Sequence, residues 1–175
     1  GQPGDAVTQA NGLLAAGATT VLRPPGPAVL AAVQRSWDEL RKRAHVLMIL
    51  DVSGSMGEPV PSAGMTKLEL AQQAAASAIN GFADDDEVGL WAFSTQLGGN
   101  GEPWVQLQAI GPAKSAVPAM QADIASLVPD GGTGLYATLR AAQRRMLADL
   151  ATDRINAIVL LSDGRNENPD DEDLD

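Results

Sequence analysis

The chain has 175 residues, 45% of them hydrophobic, and 12 Lys and Arg against 22 Asp and Glu give a net charge of −10. That length suits one α/β domain with a sizeable core, and no apolar run approaches the roughly 20 residues that span a bilayer. The acidic balance argues against a nucleic-acid partner, which needs a broad basic face, and the lack of cysteine excludes disulfides, zinc thiolate sites and thiol catalysis.

Residues 1–26 are rich in Gly, Ala and Pro and read as a linker or the end of a preceding domain; the opening GQPGDAVTQANG has neither the basic start nor the apolar centre of a targeting peptide. From Pro27 onward Val29, Leu30, Val33, Trp37 and Leu40 recur at helical spacing, and Arg41, Lys42 and Arg43 suit the negative end of a helix dipole. Residues 27–44 therefore predict a helix leading into a domain that occupies 45–175. Val46 to Leu50 is continuously apolar, as in a parallel strand buried on both faces, and Gly54 and Gly57 mark where the backbone turns away. After the loop EPVPSAG, Thr66 opens TKLE, a capping box, and Leu68, Ala71, Ala75, Ile79 and Phe82 form one stripe of the helix that follows.

The acidic turn ADDDE leads into VGLWAF, a second buried strand ending at Ser94 and Thr95, hydroxyls that either line a site or cap the strand-end turn. Glu102 to Gln108 predicts a short edge strand stopped by Gly111 and Pro112. Ser115 to Val128 reads as a helix with Pro118 in its first turn, and Leu135 to Leu150 as another with Leu135, Leu139, Ala142, Met146 and Leu150 on one face. Ile155 to Leu161 is the last strand, and six carboxylates in residues 167–175 predict a solvated acidic tail or loop. Strands alternating with helices imply a mostly parallel, doubly wound α/β sheet with helices on both faces.

The chemistry lies where strands end. Asp51, Ser53 and Ser55 put three oxygen-bearing side chains at alternating positions after the first strand. Taken alone, that pattern also fits a turn whose Asp caps the following backbone. Two later segments change the weighing: GGTGLY carries Thr133 in a Gly-rich turn, and the strand ending VLLSDG carries Asp163 at its carboxyl side. In doubly wound sheets ligands collect outside the carboxyl ends of strands, so both acids, both serines and the threonine fall at one edge. Oxygen donors of this kind suit a hard divalent cation.

The D-x-S-x-S of Asp51, Ser53 and Ser55, with Thr133 and Asp163 following in order, resembles the metal-ion-dependent adhesion site of von Willebrand factor type A domains. The resemblance covers about residues 44–170 and implies a Rossmann-like fold. It implies that Ser53 and Ser55 bind the metal directly, that Thr133 joins them in the ligand-occupied state, and that Asp51 and Asp163 act mainly through bound waters. Mg²⁺ is the metal implied, with Mn²⁺ or Ca²⁺ able to substitute, and the partner implied is a protein ligand presenting an Asp or Glu carboxylate. A complete domain of this type continues past the Asp163 strand, and alternation leaves about two βα units to be found beyond Asp175 or on another polypeptide. PPGPAVLAAVQRSWDELRKRAHVLMILDVSGSMGE also resembles the junction in bacterial surface proteins where a solute-binding-protein-like domain precedes the type A domain, which implies an extracytoplasmic place within a longer polypeptide.

Other functions fit less well. Metal-dependent phosphoryl transfer, as in haloacid-dehalogenase-like enzymes, uses an Asp at a strand end but a second Asp where this chain has Ser53. Serine hydrolysis needs a nearby base, and the single histidine, His45, stands before the first strand as a strand-start or surface residue, ~17 Å from Ser55 at strand rise. Work beside an ATP-driven machine would need a separate ATPase, since no G-x-x-x-x-G-K-[ST] loop is present.

Overall fold

The structure, a computed structural model, describes residues 26–95 and 97–164. The expected linker or domain end over residues 1–26, except for Gly26, and the acidic segment 167–175 lie outside the described residues. By its contacts the chain divides into one unit ending at Arg41 and another beginning at Lys42. In the first, helix α1 (Pro27–Leu40) fills most of the span predicted as helical, with the Val29 and Leu30 amides donating to the Gly26 carbonyl.

The second unit is built on a four-stranded sheet. Strand β1 (Ala44–Asp51) leads to a 3₁₀ turn (Gly54–Gly57), and a short ribbon of β2 (Pro59–Val60) and β3 (Met65–Thr66) precedes helix α2 (Lys67–Ile79). Strands β4 (Glu87–Phe93) and β5 (Trp104–Pro112), helices α3 (Ala113–Ser126) and α4 (Leu135–Ala148), and strand β6 (Ile155–Leu161) complete it. The strand order is β5-β4-β1-β6, with β1 parallel to both neighbours and β5 antiparallel to β4. The expected mostly parallel α/β sheet is therefore present, with one antiparallel strand on the β5 edge.

Because successive strand residues point to opposite faces, the continuously apolar β1 feeds two cores. Val46, Met48 and Leu50 pack with Val88 and Leu90 of β4, Ala75 and Ile79 of α2, and Met120 and Ile124 of α3. Leu47 and Ile49 pack on the other face with Trp91, Phe93, Ala142 and Met146. Full burial of each Leu or Ile in these layers stabilises by about 2 kcal/mol. Trp91 also stacks on Trp104, ring centroids 4.0 Å apart and planes 10° from parallel, which fastens β5 to β4.

Several predicted boundaries move. β5 runs on through Gly111 and Pro112, which pair with Val88 and Glu87; proline is tolerated there because an edge strand leaves one side of its backbone unpaired. α3 starts at Ala113, so Pro118 lies inside it rather than in its first turn, on an exposed position. Leu150 falls beyond the end of α4 and is 54% exposed, and in β6 Ile155 and Val159 are exposed as well. His45, expected before the first strand as a strand-start or surface residue, is the second residue of β1 and is buried, its Nδ1 2.7 Å from Glu87. Asp86 of the acidic turn is also buried, accepting from the Ala44 and Ala83 amides at 2.8 Å.

These features position one end of the sheet. β1 is central: the chain passes from it to β4 on one side and later to β6 on the other. The carboxyl end of β1 is thus where connections diverge, the usual place for a ligand in an open α/β sheet.

Candidate metal centre

Asp51, the last residue of β1, is fully buried. One carboxylate oxygen accepts the Ser53 amide at 2.8 Å, closing a turn, and the other accepts the Ser162 hydroxyl at 2.5 Å. The Ser53 and Ser55 hydroxyl oxygens are 3.2 Å apart, and Ser55 donates to Asp163 Oδ1 at 3.1 Å. Asp51, Ser53, Ser55 and Asp163 therefore form one connected polar network. The turn reading of the Asp51 motif is realised, and the capped turn sets the two serine hydroxyls side by side.

Thr133 reaches the network on a clipped loop. The Asp130 amide donates to the Val52 carbonyl and the Gly54 amide to the Gly131 carbonyl, each at 2.7 Å. Thr95 exchanges two bonds with Gly132: its amide donates to the Gly132 carbonyl at 2.7 Å, and its hydroxyl accepts the Gly132 amide at 2.8 Å. Thr95 thus braces the threonine loop against the end of β4, a part in the site that its strand-end position left open. Gly131 makes this path possible, with a φ of 74° that side chains rarely adopt.

Thr133 itself is fully buried, and its hydroxyl oxygen has no hydrogen-bond partner. A buried hydroxyl left unpaired costs about 1–3 kcal/mol, so folds rarely retain one without a use. Its surroundings are informative. A Cβ placed on Gly164 would lie 3.1 Å from Thr133 Oγ1 and 3.7 Å from Asp51 Oδ2, so these oxygens face a gap that glycine leaves open.

A positive charge also reaches this network. Lys67 Nζ donates to Glu58 Oε2 at 2.6 Å and to Asp163 Oδ2 in a short contact. The two carboxylates, Asp163 foremost, raise the lysine pKa above its ordinary value. Among the described residues no group of three or more His, Cys, Asp and Glu is placed to hold a metal. The donor set at the β1 edge is instead two carboxylates and three hydroxyls, all oxygen, which suits a hard cation rather than zinc or copper.

Residues 46–166 match the family profile of the von Willebrand factor type A domain. The chain belongs to the von Willebrand factor type A family. Its fold is also that of solved structures with which it shares little sequence. A von Willebrand factor type A protein from Catenulispora acidiphila superposes with a TM-score of 0.56 at 24% identity, over 72% of this chain and 28% of that one. The PilB minor pilin from Streptococcus sanguinis gives 0.53 at 20% identity, over 71% of this chain and 31% of that one. The pilus adhesin SpaC from Lactobacillus rhamnosus GG gives 0.53 at 22% identity, over 73% of this chain and 16% of that one. The chain thus spans less than a third of the length of each. Among curated proteins, none matches it.

Within this type A domain, two contributors escape a reading of the motif alone. Ser162 comes beside Asp51 because the β1–β6 register pairs Leu50 with Leu161, a strand pairing that no local pattern announces. Lys67 meets Asp163 across 96 positions and likewise carries no local signal. No described helix is long and apolar enough to cross a membrane.

Proposed function

We propose that this type A domain is a divalent-metal-dependent protein-binding module that works at the cell surface or elsewhere outside the cytoplasm. Asp51, Ser53, Ser55, Thr133 and Asp163 are the residues that would hold the metal, and Mg²⁺ is the ion their oxygen chemistry suits best. When bound, such an ion offers a coordination position to a carboxylate oxygen of an Asp or Glu on a partner protein. The chain's own part is to present hydroxyls in place of further carboxylates, which leaves the ion's charge incompletely compensated and so attractive to an outside anion. Binding of this kind needs no bond-making chemistry, so the domain acts as an interaction module rather than an enzyme.

The observation that carries this reading is the Thr133 hydroxyl, buried, unpaired and facing the same gap as Asp51. A purely structural loop gains nothing from such a group. The likeness to a minor pilin and a pilus adhesin supports an adhesive role outside the cytoplasm. The test is capture of partners on immobilised wild-type and Asp51→Ala protein in Mg²⁺ and in EDTA. The reading expects partners held by the wild type in Mg²⁺ and released by EDTA, by the substitution, and by Asp→Asn or Glu→Gln changes in the partner. Partners retained equally under all these conditions would contradict it.

A further inference from the structure

Lys67 sits badly for its helix. It is the first residue of α2, where the dipole favours negative charge, and Thr66 already caps that end. What holds the ammonium there is a pair of carboxylates. The β2–β3 ribbon pairs Pro59 with Thr66, and the Lys67 amide donates to the Glu58 carbonyl at 3.0 Å, so Glu58 and Lys67 leave the ribbon side by side. From there the side chain reaches both Glu58 and Asp163. The two acids differ: the Glu58 side chain is 63% exposed, whereas that of Asp163 is 18% exposed. Asp163 Oδ1 already accepts from Ser55, so the ammonium occupies its remaining oxygen.

We infer that Lys67 is a built-in competitor of the divalent ion for Asp163, with Glu58, its other partner, keeping the ammonium when the ion takes Asp163. This rests on the metal reading above. An ammonium and a divalent cation repel, and one partly buried carboxylate cannot serve both fully. Glu58 supplies the second resting place, already within reach and exposed enough to accept the displaced charge without burying it. The consequence is a site with weakened affinity for the ion alone, so that occupancy depends on the surrounding divalent concentration and on a partner's carboxylate.

The experiment is calorimetric titration of Mg²⁺, and in parallel Mn²⁺, into the full chain as wild type, Lys67→Met, Lys67→Arg, Glu58→Gln and the Lys67→Met/Glu58→Gln pair. Thermal unfolding in EDTA checks that each is folded. Removing the competing charge should tighten metal binding about tenfold in Lys67→Met, the scale expected for a unit charge beside a double one in a water-like medium. Lys67→Arg should bind as the wild type does. Glu58→Gln should weaken binding while Lys67 is present and have a clearly smaller effect once it is gone, a dependence that a general field effect would not produce. Equal or weaker affinity in Lys67→Met would overturn the competition while leaving the metal site standing. Failure of every folded variant to bind either ion would overturn the metal reading and this inference with it.

Discussion

Ser55 donates its hydroxyl to Asp163 at 3.1 Å although 108 positions separate them in sequence. That bond joins the turn after β1 to the segment after β6, and beside it Ser162 donates to Asp51. The two contacts form a clasp between neighbouring strand ends, each pairing a serine from one strand's exit with a carboxylate from the other's. Contacts within the fold itself thus fix the orientation of both acids.

The Ser162 half of the clasp is testable by stability. Asp51 is fully buried, and Ser162→Ala leaves one of its oxygens without the donor it has now. Denaturant unfolding should show a loss of about 1–2 kcal/mol, the cost of an unmet buried acceptor. An unchanged midpoint would show that the bond contributes nothing.

The capping box at the start of α2 makes a pH-dependent prediction. Thr66 accepts the Glu69 amide at 3.1 Å, while the Glu69 carboxylate accepts the Thr66 amide at 2.6 Å and hydroxyl at 3.0 Å. Hydrogen bonding from the Thr66 amide, then its hydroxyl, holds the Glu69 pKa below the ordinary value. A lowered folded-state pKa means the contribution is present above the unfolded-state value and is lost as pH falls through the folded one. Thr66→Ala should cost about 1 kcal/mol at neutral pH. The difference in melting temperature between wild type and Glu69→Gln should shrink steadily on acidification through the carboxylate range. A difference independent of pH would contradict the assignment.

Gly164 tests the gap itself. An alanine methyl there would sit 3.1 Å from Thr133 Oγ1 and 3.3 Å from Thr133 Cγ2, tighter than ordinary contact, so the buried Thr133 side chain must give by a few tenths of an ångström. Gly164→Ala should therefore lower the melting temperature in EDTA by a few degrees, as about 1 kcal/mol of overpacking does, and should also reduce the rise produced by Mg²⁺. An undiminished rise would place any bound ion elsewhere.

Much of this arrangement was readable before the structure, for physical reasons that differ by element. β1 and β4 announce themselves because a strand buried on both faces must be apolar throughout, and Thr66 and Glu69 because a capping box has fixed spacing. Asp51, Ser53 and Ser55 were legible as a local pattern at a strand end. What periodicity could not supply was anything set by strand neighbours. The exposure of Ile155 and Val159 follows from β6 lying at the edge of the sheet among the described residues, and the burial of His45 from its pairing with Glu87. Thr95 and Lys67 belong to the same class, because their roles come from a loop and an acid far along the chain. Gly111 and Pro112 misled because they are stop signals in a central strand and permissible on an edge.

The central claim is that the Thr133 hydroxyl is kept unpaired for a metal, and Thr133→Val tests it most directly because valine keeps the shape and removes only the oxygen. Thermal unfolding of both proteins in EDTA and in Mg²⁺ is the measurement, since a ligand that binds only the folded state must raise its stability. The account predicts that Thr133→Val melts at or above the wild-type temperature in EDTA, relieved of an unpaired buried hydroxyl, and that it loses the rise Mg²⁺ gives the wild type. A substitution that lowers the melting temperature in EDTA yet keeps the full Mg²⁺ rise would contradict it.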